Sequence, residues 1–560
     1  MMRRPLPTGA LLVAACSMGG GAFAQAAITA QGNVRVDQNA VSGSLSNPLS
    51  AAGVGVGDPN GSNAAASGSL SLAGGASATV QQTFLANFFG SRTGVLDVRG
   101  FGTAYGGGDL AAGGGDGRGV LRVLDGGLVD LDGRIDLGSF QGGGSGILQI
   151  DGFAEVEATS AGFLRGRGDV TGGGVLDLGF GGLTLGDGGS FDLSLDTGGE
   201  LRVGTLQVGS TNGGVGSTLR LGDDAVARLG AGQVNAGSRV EMAGGTIRTD
   251  FLLLSGGALE GSGRFEGELR VLDGAGSRGR VSVAAGERLA VQRPGQFITA
   301  IDNAGLVENG GVLDLGGATF VNNQSGSYLG RGGTFRGFEF QNEGQDAAVD
   351  LLSGANTFDA DFINSQNRRV TVTGGATAAF QQDVVNQGLV RVDPGSQATF
   401  VGTYSGAGDL LGGGGVTFLG DVQIGNSPAV VNVGVASTFA STSTFEIEIG
   451  GTDRDAEDFD GVNFLTGGSY DFQGGTLDVK TFGGFAPENG DTFEIFRFES
   501  FAMIPVTGGF GDVVLQQLGG GLSFDVSNLL VDGTITVVPE PASAALLLAG
   551  TGLLLRRRRA

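Results

Sequence analysis

The sequence predicts an all-β protein, a parallel β-helix or solenoid with coils of roughly 20–28 residues and a C-terminal β-module. A β-sandwich or propeller is the alternative, because the same short strands would serve either. Three observations carry the prediction. A unit of the form Gly-x-Leu-x-Val recurs at Leu70, Leu96, Leu121, Leu148, Leu176, Leu201, Leu219, Ile247, Leu269 and Leu313. Its spacings are 26, 25, 27, 28, 25, 18, 28, 22 and 44, the last being two periods of 22. From Asn303 a second beat follows. Asparagines fall at Asn303, Asn323, Asn342, Asn364 and Asn386, and phenylalanines at Phe320, Phe340, Phe362, Phe380, Phe400 and Phe418. Lastly, each unit alternates apolar and polar residues, the period of a strand with one buried face, and glycines punctuate the turns between units. One such coil cannot bury its apolar face alone, so coils must stack on one another. Equivalent residues then repeat at ~4.8 Å. That places a phenylalanine stack inside and an asparagine at a bend, its amide bonding the next coil.

Taken in chain order, residues 1–24 have the three parts of a secretory signal peptide. Arg3 and Arg4 come first, then an apolar run over 10–15, then the small-residue site Ala22-Phe23-Ala24 before Gln25. Cleavage is expected between Ala24 and Gln25. Val13-Ala14-Ala15-Cys16 resembles a lipoprotein box, which would instead cut before Cys16 and lipidate it. Arg3-Arg4 reads as the basic start of a general export signal rather than a twin-arginine one. Residues 25–66 form a low-complexity segment or cap, 67–423 the solenoid repeats, 424–536 a C-terminal β-module, and 537–560 a distinct tail.

That tail, "VVPEPASAALLLAGTGLLLRRRRA", is unlike anything before it. Pro539-Glu540-Pro541 is followed by an uncharged run over 542–555 and then by Arg556, Arg557, Arg558 and Arg559. The prolines break any helix just before the run, and the arginines suit the cytoplasmic side of a membrane. These three parts, in this order behind an N-terminal signal, resemble the PEP-CTERM sorting signal of Gram-negative bacteria. The resemblance implies transient membrane insertion and processing by an exosortase, a membrane cysteine protease or transpeptidase. It also implies an envelope, surface or matrix location and a link to extracellular polysaccharide and biofilm.

Composition limits the chemistry of the exported body. The sole cysteine, Cys16, lies in the signal, and the chain has no histidine and no tryptophan. The body therefore has no disulfide, no cysteine nucleophile, no histidine base and no ordinary zinc site. Losing six arginines and Glu540 with the two signals takes the formal charge from −24 to −29. Such a surface repels nucleic acid. The single lysine, Lys480, among 33 basic residues reads as a GC-rich genome.

Residues 424–536 change character. Gly425-Asn426-Ser427-Pro428, Phe459-Asp460, Gly475-Thr476-Leu477 and Gly490-Asp491-Thr492-Phe493 resemble the terminal β-module of secreted solenoids related to autotransporter passengers. Only 24 residues follow Thr536, whereas one barrel strand needs ~9–11, so no membrane barrel is expected after it. Within this region Asp453, Asp455, Glu457, Asp458 and Asp460 are the densest acidic cluster. Calcium is one reading; a solvated loop is the other. The glycine an EF-hand needs at its sixth position is replaced by Asp458. Arg167-Gly168-Asp169 spells an integrin tripeptide by chance, and no carboxylate pair for glycoside cleavage stands out. The expectation is a surface or matrix protein without catalysis or cofactor, partnered by the exosortase and by exopolysaccharide or itself. A lyase-like, polysaccharide-active enzyme is the alternative.

Overall fold

A computed structural model describes residues 26–57, 67–86, 93–138, 143–187, 189–211, 215–274, 277–292, 298–425, 428–500 and 504–540. Among these, strands dominate, there is no α-helix, and one 3-10 turn spans Gly519–Gly521. The strands form a parallel β-solenoid with three stacks. The first begins Gly68–Ala73, Thr93–Arg99, Arg118–Leu124, Ser145–Asp151, Gly166–Val170. The second contains Leu128–Leu131, Glu155–Glu157 and Val175–Asp177. The third contains Arg134–Leu137, Ser160–Phe163 and Gly182–Leu185. In places one strand serves two stacks, as Glu200–Val208 does. Inward residues of all three meet in one continuous core.

The Gly-x-Leu-x-Val repeat is real, but it does not stay on one face. Leu70, Leu96, Leu121 and Leu148 are in register in the first stack. Leu148 then aligns with Gly168, not with Leu176. Leu176 and Leu201 align in the second stack. Leu219 returns to the first, beside Leu193, Ile247 lies in the second beside Ala227, and Leu269 lies in the third beside Leu252. The spacings of 28, 18, 28 and 22 accompany these changes of face. All three faces need the same half-buried strand, so one motif describes them all.

A one-residue correction applies to the asparagines. The buried ladder runs Asn303, Asn322, Asn342, Asn364, Asn386. Each Nδ2 donates to the next Oδ1 at 2.8, 2.9, 2.9 and 2.8 Å, and Asn386 ends the series on the Tyr404 hydroxyl at 2.8 Å. Asn323, expected here, is half-buried, and its Oδ1 accepts the Gln324 N–H. The strand Thr319–Asn322 ends on the ladder residue and Asn323 lies just past it, so only Asn322 enters the ladder.

The phenylalanines make two adjoining columns instead of one. Phe320, Phe340 and Phe362 stack at 4.6 and 4.9 Å in the third stack. Phe358, Phe380, Phe400, Phe418, Phe439 and Phe472 stack at 4.7–5.4 Å in the second. The step from Phe362 to Phe380 crosses between columns, edge to face at 73°. Phe362 itself is in register with Val384.

Antiparallel pairing occurs at both ends. Ala27–Val36 pairs antiparallel with Asn39–Ser44, Leu49–Val56 and Gly68–Ala73, which occupies an edge open to other chains. Parallel stacking passes residue 424 without interruption and reaches Val506–Gly509 and Asp512–Leu515. Segment 424–536 thus supplies further coils together with a small antiparallel sheet, in which Thr534–Pro539 lies between Thr492–Glu494 and Leu522–Asp525. Coils sit so close that Gly107, with φ +145°, has no room for a Cβ, which would collide with the Val80 carbonyl oxygen.

Candidate functional site

The described chain ends on the middle strand of that antiparallel sheet. Pro539 is opposite Leu522, and the Glu540 N–H donates to the Gly521 carbonyl at 2.8 Å. Both Pro539 and Glu540 are exposed. Pro541, the run 542–555, Arg556, Arg557, Arg558 and Arg559 lie outside the described residues, as do Cys16, Ala24 and Gln25. Among the described residues no helix is long and apolar enough to cross a membrane.

The acidic loop is organised by hydrogen bonds. Asp453 Oδ1 accepts the Asp455 N–H at 2.9 Å, and Asp458 Oδ2 accepts the Asp453 N–H at 3.2 Å. Arg454, nearly buried, inserts beneath the loop, donating to Asn463 Oδ1 at 2.8 Å and to the Glu494 carbonyl. Burial lowers its guanidinium pKa. Asn463 in turn donates to Asn432, which donates to Asp409. Among the described residues no group of three or more His, Cys, Asp or Glu converges as a metal site.

Asp460 has a different role from its neighbours. It is 1% exposed, and its two oxygens accept the Ala429 and Glu448 N–H groups at 3.0 and 2.7 Å. Burial outweighs these donors and pushes its carboxyl up to about 7. The folded chain then keeps a proton that the unfolded chain, at an ordinary ~3.9, has released. The group's contribution to stability is full below pH ~4 and is lost as pH rises through ~7. The urea midpoint of the wild type should therefore fall more between pH 5 and pH 8 than that of Asp460→Asn. Parallel pH profiles for the two proteins would refute the raised carboxyl.

A groove of about 500 Å³ lies between the second and third stacks. Asp130, Glu157 and Asp177 are in register along one wall, and Phe180 projects fully exposed beside them. Burial, then the charges of Glu155, Asp130 and Asp177, raises the Glu157 carboxyl above its ordinary range. Sequence reading missed this column because its members are 27 and 20 residues apart, and only the coil register brings them together. Arg167 and Asp169 point outward from the strand Gly166–Val170, while Gly168 faces the core. That is extended backbone inside a sheet, not a projecting loop.

Some exterior acids are paired, Asp177 of this groove wall among them. Arg202 bridges Glu200 and Asp177 at 2.8 and 3.2 Å, and Arg248 meets Glu266 at 2.9 Å. These pairs are partly exposed, and each contributes about 0–1 kcal/mol. No protein-family model matches the chain, and no curated protein is significantly similar to it.

Proposed function

We propose that the chain is an exported, non-catalytic surface or matrix solenoid of a Gram-negative bacterium. Its role is adhesion or scaffolding of exopolysaccharide, and an exosortase-type enzyme sorts it through the Pro539-Glu540-Pro541 tail. The observation that carries this is the order of proline pair, uncharged run and arginine cluster in 539–559. As a helix, the 14-residue run would reach only ~21 Å against ~30 Å of hydrocarbon. Its six leucines contribute about −2 to −4 kcal/mol to insertion, and Ser543, Thr551 and two glycines erode that. So weak an anchor suits a handle held beside a membrane enzyme until it is cut.

Intact-mass measurement of envelope and secreted fractions tests this. The mature chain is expected to lack Arg556, Arg557, Arg558 and Arg559, and replacing all four by alanine should impair processing. Recovery of the chain through Ala560 in the mature pool would refute removal.

A second reading, a polysaccharide-active enzyme, is favoured by the Glu157 groove. A raised carboxyl can act as a proton donor, and an exposed ring offers a platform for sugar. Incubation with acidic exopolysaccharides separates the two readings. New unsaturated or reducing ends, lost in Glu157→Gln, would replace the structural reading with the catalytic one.

A further inference from the structure

We infer that an outward groove on the first stack binds a segment of acidic polysaccharide, gripped by Arg118, Arg122 and Arg167. This deepens the matrix role proposed above and rests on it for the choice of polymer. The groove measures about 360 Å³ and is built by register. Val95, Val120, Ile147 and Arg167 occupy one outward column on successive coils. Arg118 flanks Val120 on one side, in the column of Thr93. Arg122 flanks it on the other, between Asp97 and Gln149. The result is an aliphatic floor bordered by three guanidinium groups.

These arginines differ from the others on the surface. Among the described residues none of the three forms an ion pair, whereas neighbouring Arg99 holds Asp97 with two hydrogen bonds, at 2.7 and 2.9 Å. Asp169 is the one acid lining the groove. A local positive excess therefore stands on a chain of net charge −24. Guanidinium forks match carboxylates bidentately. The floor suits the apolar face of a sugar ring, and Thr93 and Gln149 can bond its hydroxyls.

Spacing selects the ligand class. Arg118 and Arg122 are four residues apart in one strand, ~13 Å at ~3.3 Å per residue. Arg167 lies two or more coils away from each, ~10 Å or more at ~4.8 Å per coil. A polymer charged at intervals matches this spread of backbone positions better than one small anion does. Duplex nucleic acid, with a charge every ~1.7 Å, would meet the acidic surface on either side.

The test uses the full-length protein with uronic-acid oligosaccharides of defined length, a neutral glucan and single-stranded DNA, measured at two salt concentrations. Binding is expected for the uronate oligomers alone, weakening with salt. Arg118→Gln, Arg122→Gln and Arg167→Gln should each reduce it by roughly ten- to 150-fold, one charge-assisted bond being worth ~1.5–3 kcal/mol. Arg336→Gln, on another face, should leave it unchanged. Circular dichroism and melting of each variant check that the coil is intact. Uronate binding unaffected by the three substitutions would overturn this site while leaving the matrix role standing. Equal binding of DNA or neutral glucan through the same arginines, or no uronate binding by the wild type, would also overturn it. Tail processing, measured separately, judges the export reading.

Discussion

Phe380→Ala is expected to destabilise the solenoid by about 3–5 kcal/mol. Phe380 is 1% exposed and lies between Phe358 and Phe400 at 5.2 and 5.1 Å, with the Phe362 edge at 5.0 Å. It is one of the rings through which the two aromatic columns touch, as Phe358 also is, so truncation removes contacts from both. The hole cannot close cheaply, because in-register pairing with the coils before and after fixes the backbone. Stacked coils depend on their neighbours, so the loss should also spread along the axis. Hydrogen exchange should accelerate at Phe358 and Phe400 as well as locally. A melting transition and exchange pattern unchanged from the wild type would remove Phe380 from the core.

Asn342→Leu is expected to cost roughly 2–5 kcal/mol, because each buried polar group left without its partner costs ~1–3 kcal/mol. Asn342 accepts from Asn322 at 2.9 Å, and donates to Asn364 Oδ1 at 2.9 Å and to the Arg369 carbonyl at 3.3 Å. Leucine supplies no donor or acceptor, so groups on three coils lose a bond together. Asn323→Ala is the matched control. Its carboxamide lies outside the ladder, so the change should stay within ~0.5 kcal/mol. If urea denaturation gave the two substitutions equal effects, the ladder would not have the register described.

How much of this was legible depended on what each residue reports. Period-two alternation and a steady beat reveal stacked strands, because every coil must bury the same kind of face. They do not reveal which face, and that is why Leu148 and Leu176 look equivalent in sequence yet belong to different stacks. The step from Phe362 to Phe380 hid a change of column in the same way. Asn322 and Asn323 are adjacent and chemically identical, and what separates them is that the strand ends at Asn322. Asp460 was visible as one acid among five, but its N–H donors, Ala429 and Glu448, lie 31 and 12 residues upstream and only the fold brings them to it. The groove of Arg118, Arg122 and Arg167 was invisible because no local motif joins three arginines from two non-adjacent strands.

The unbroken register has a consequence for reach. From Leu121 the first stack continues through about sixteen in-register steps to Phe498. At ~4.8 Å per step this is roughly 77 Å. The arginine-lined groove therefore stands near one end of the stack and the chain's exit at Pro539 near the other. Deleting whole coils between them should shorten that stand-off in ~4.8 Å decrements without altering either end. Between the groove and Pro539 the solenoid is a spacer whose length is counted in coils.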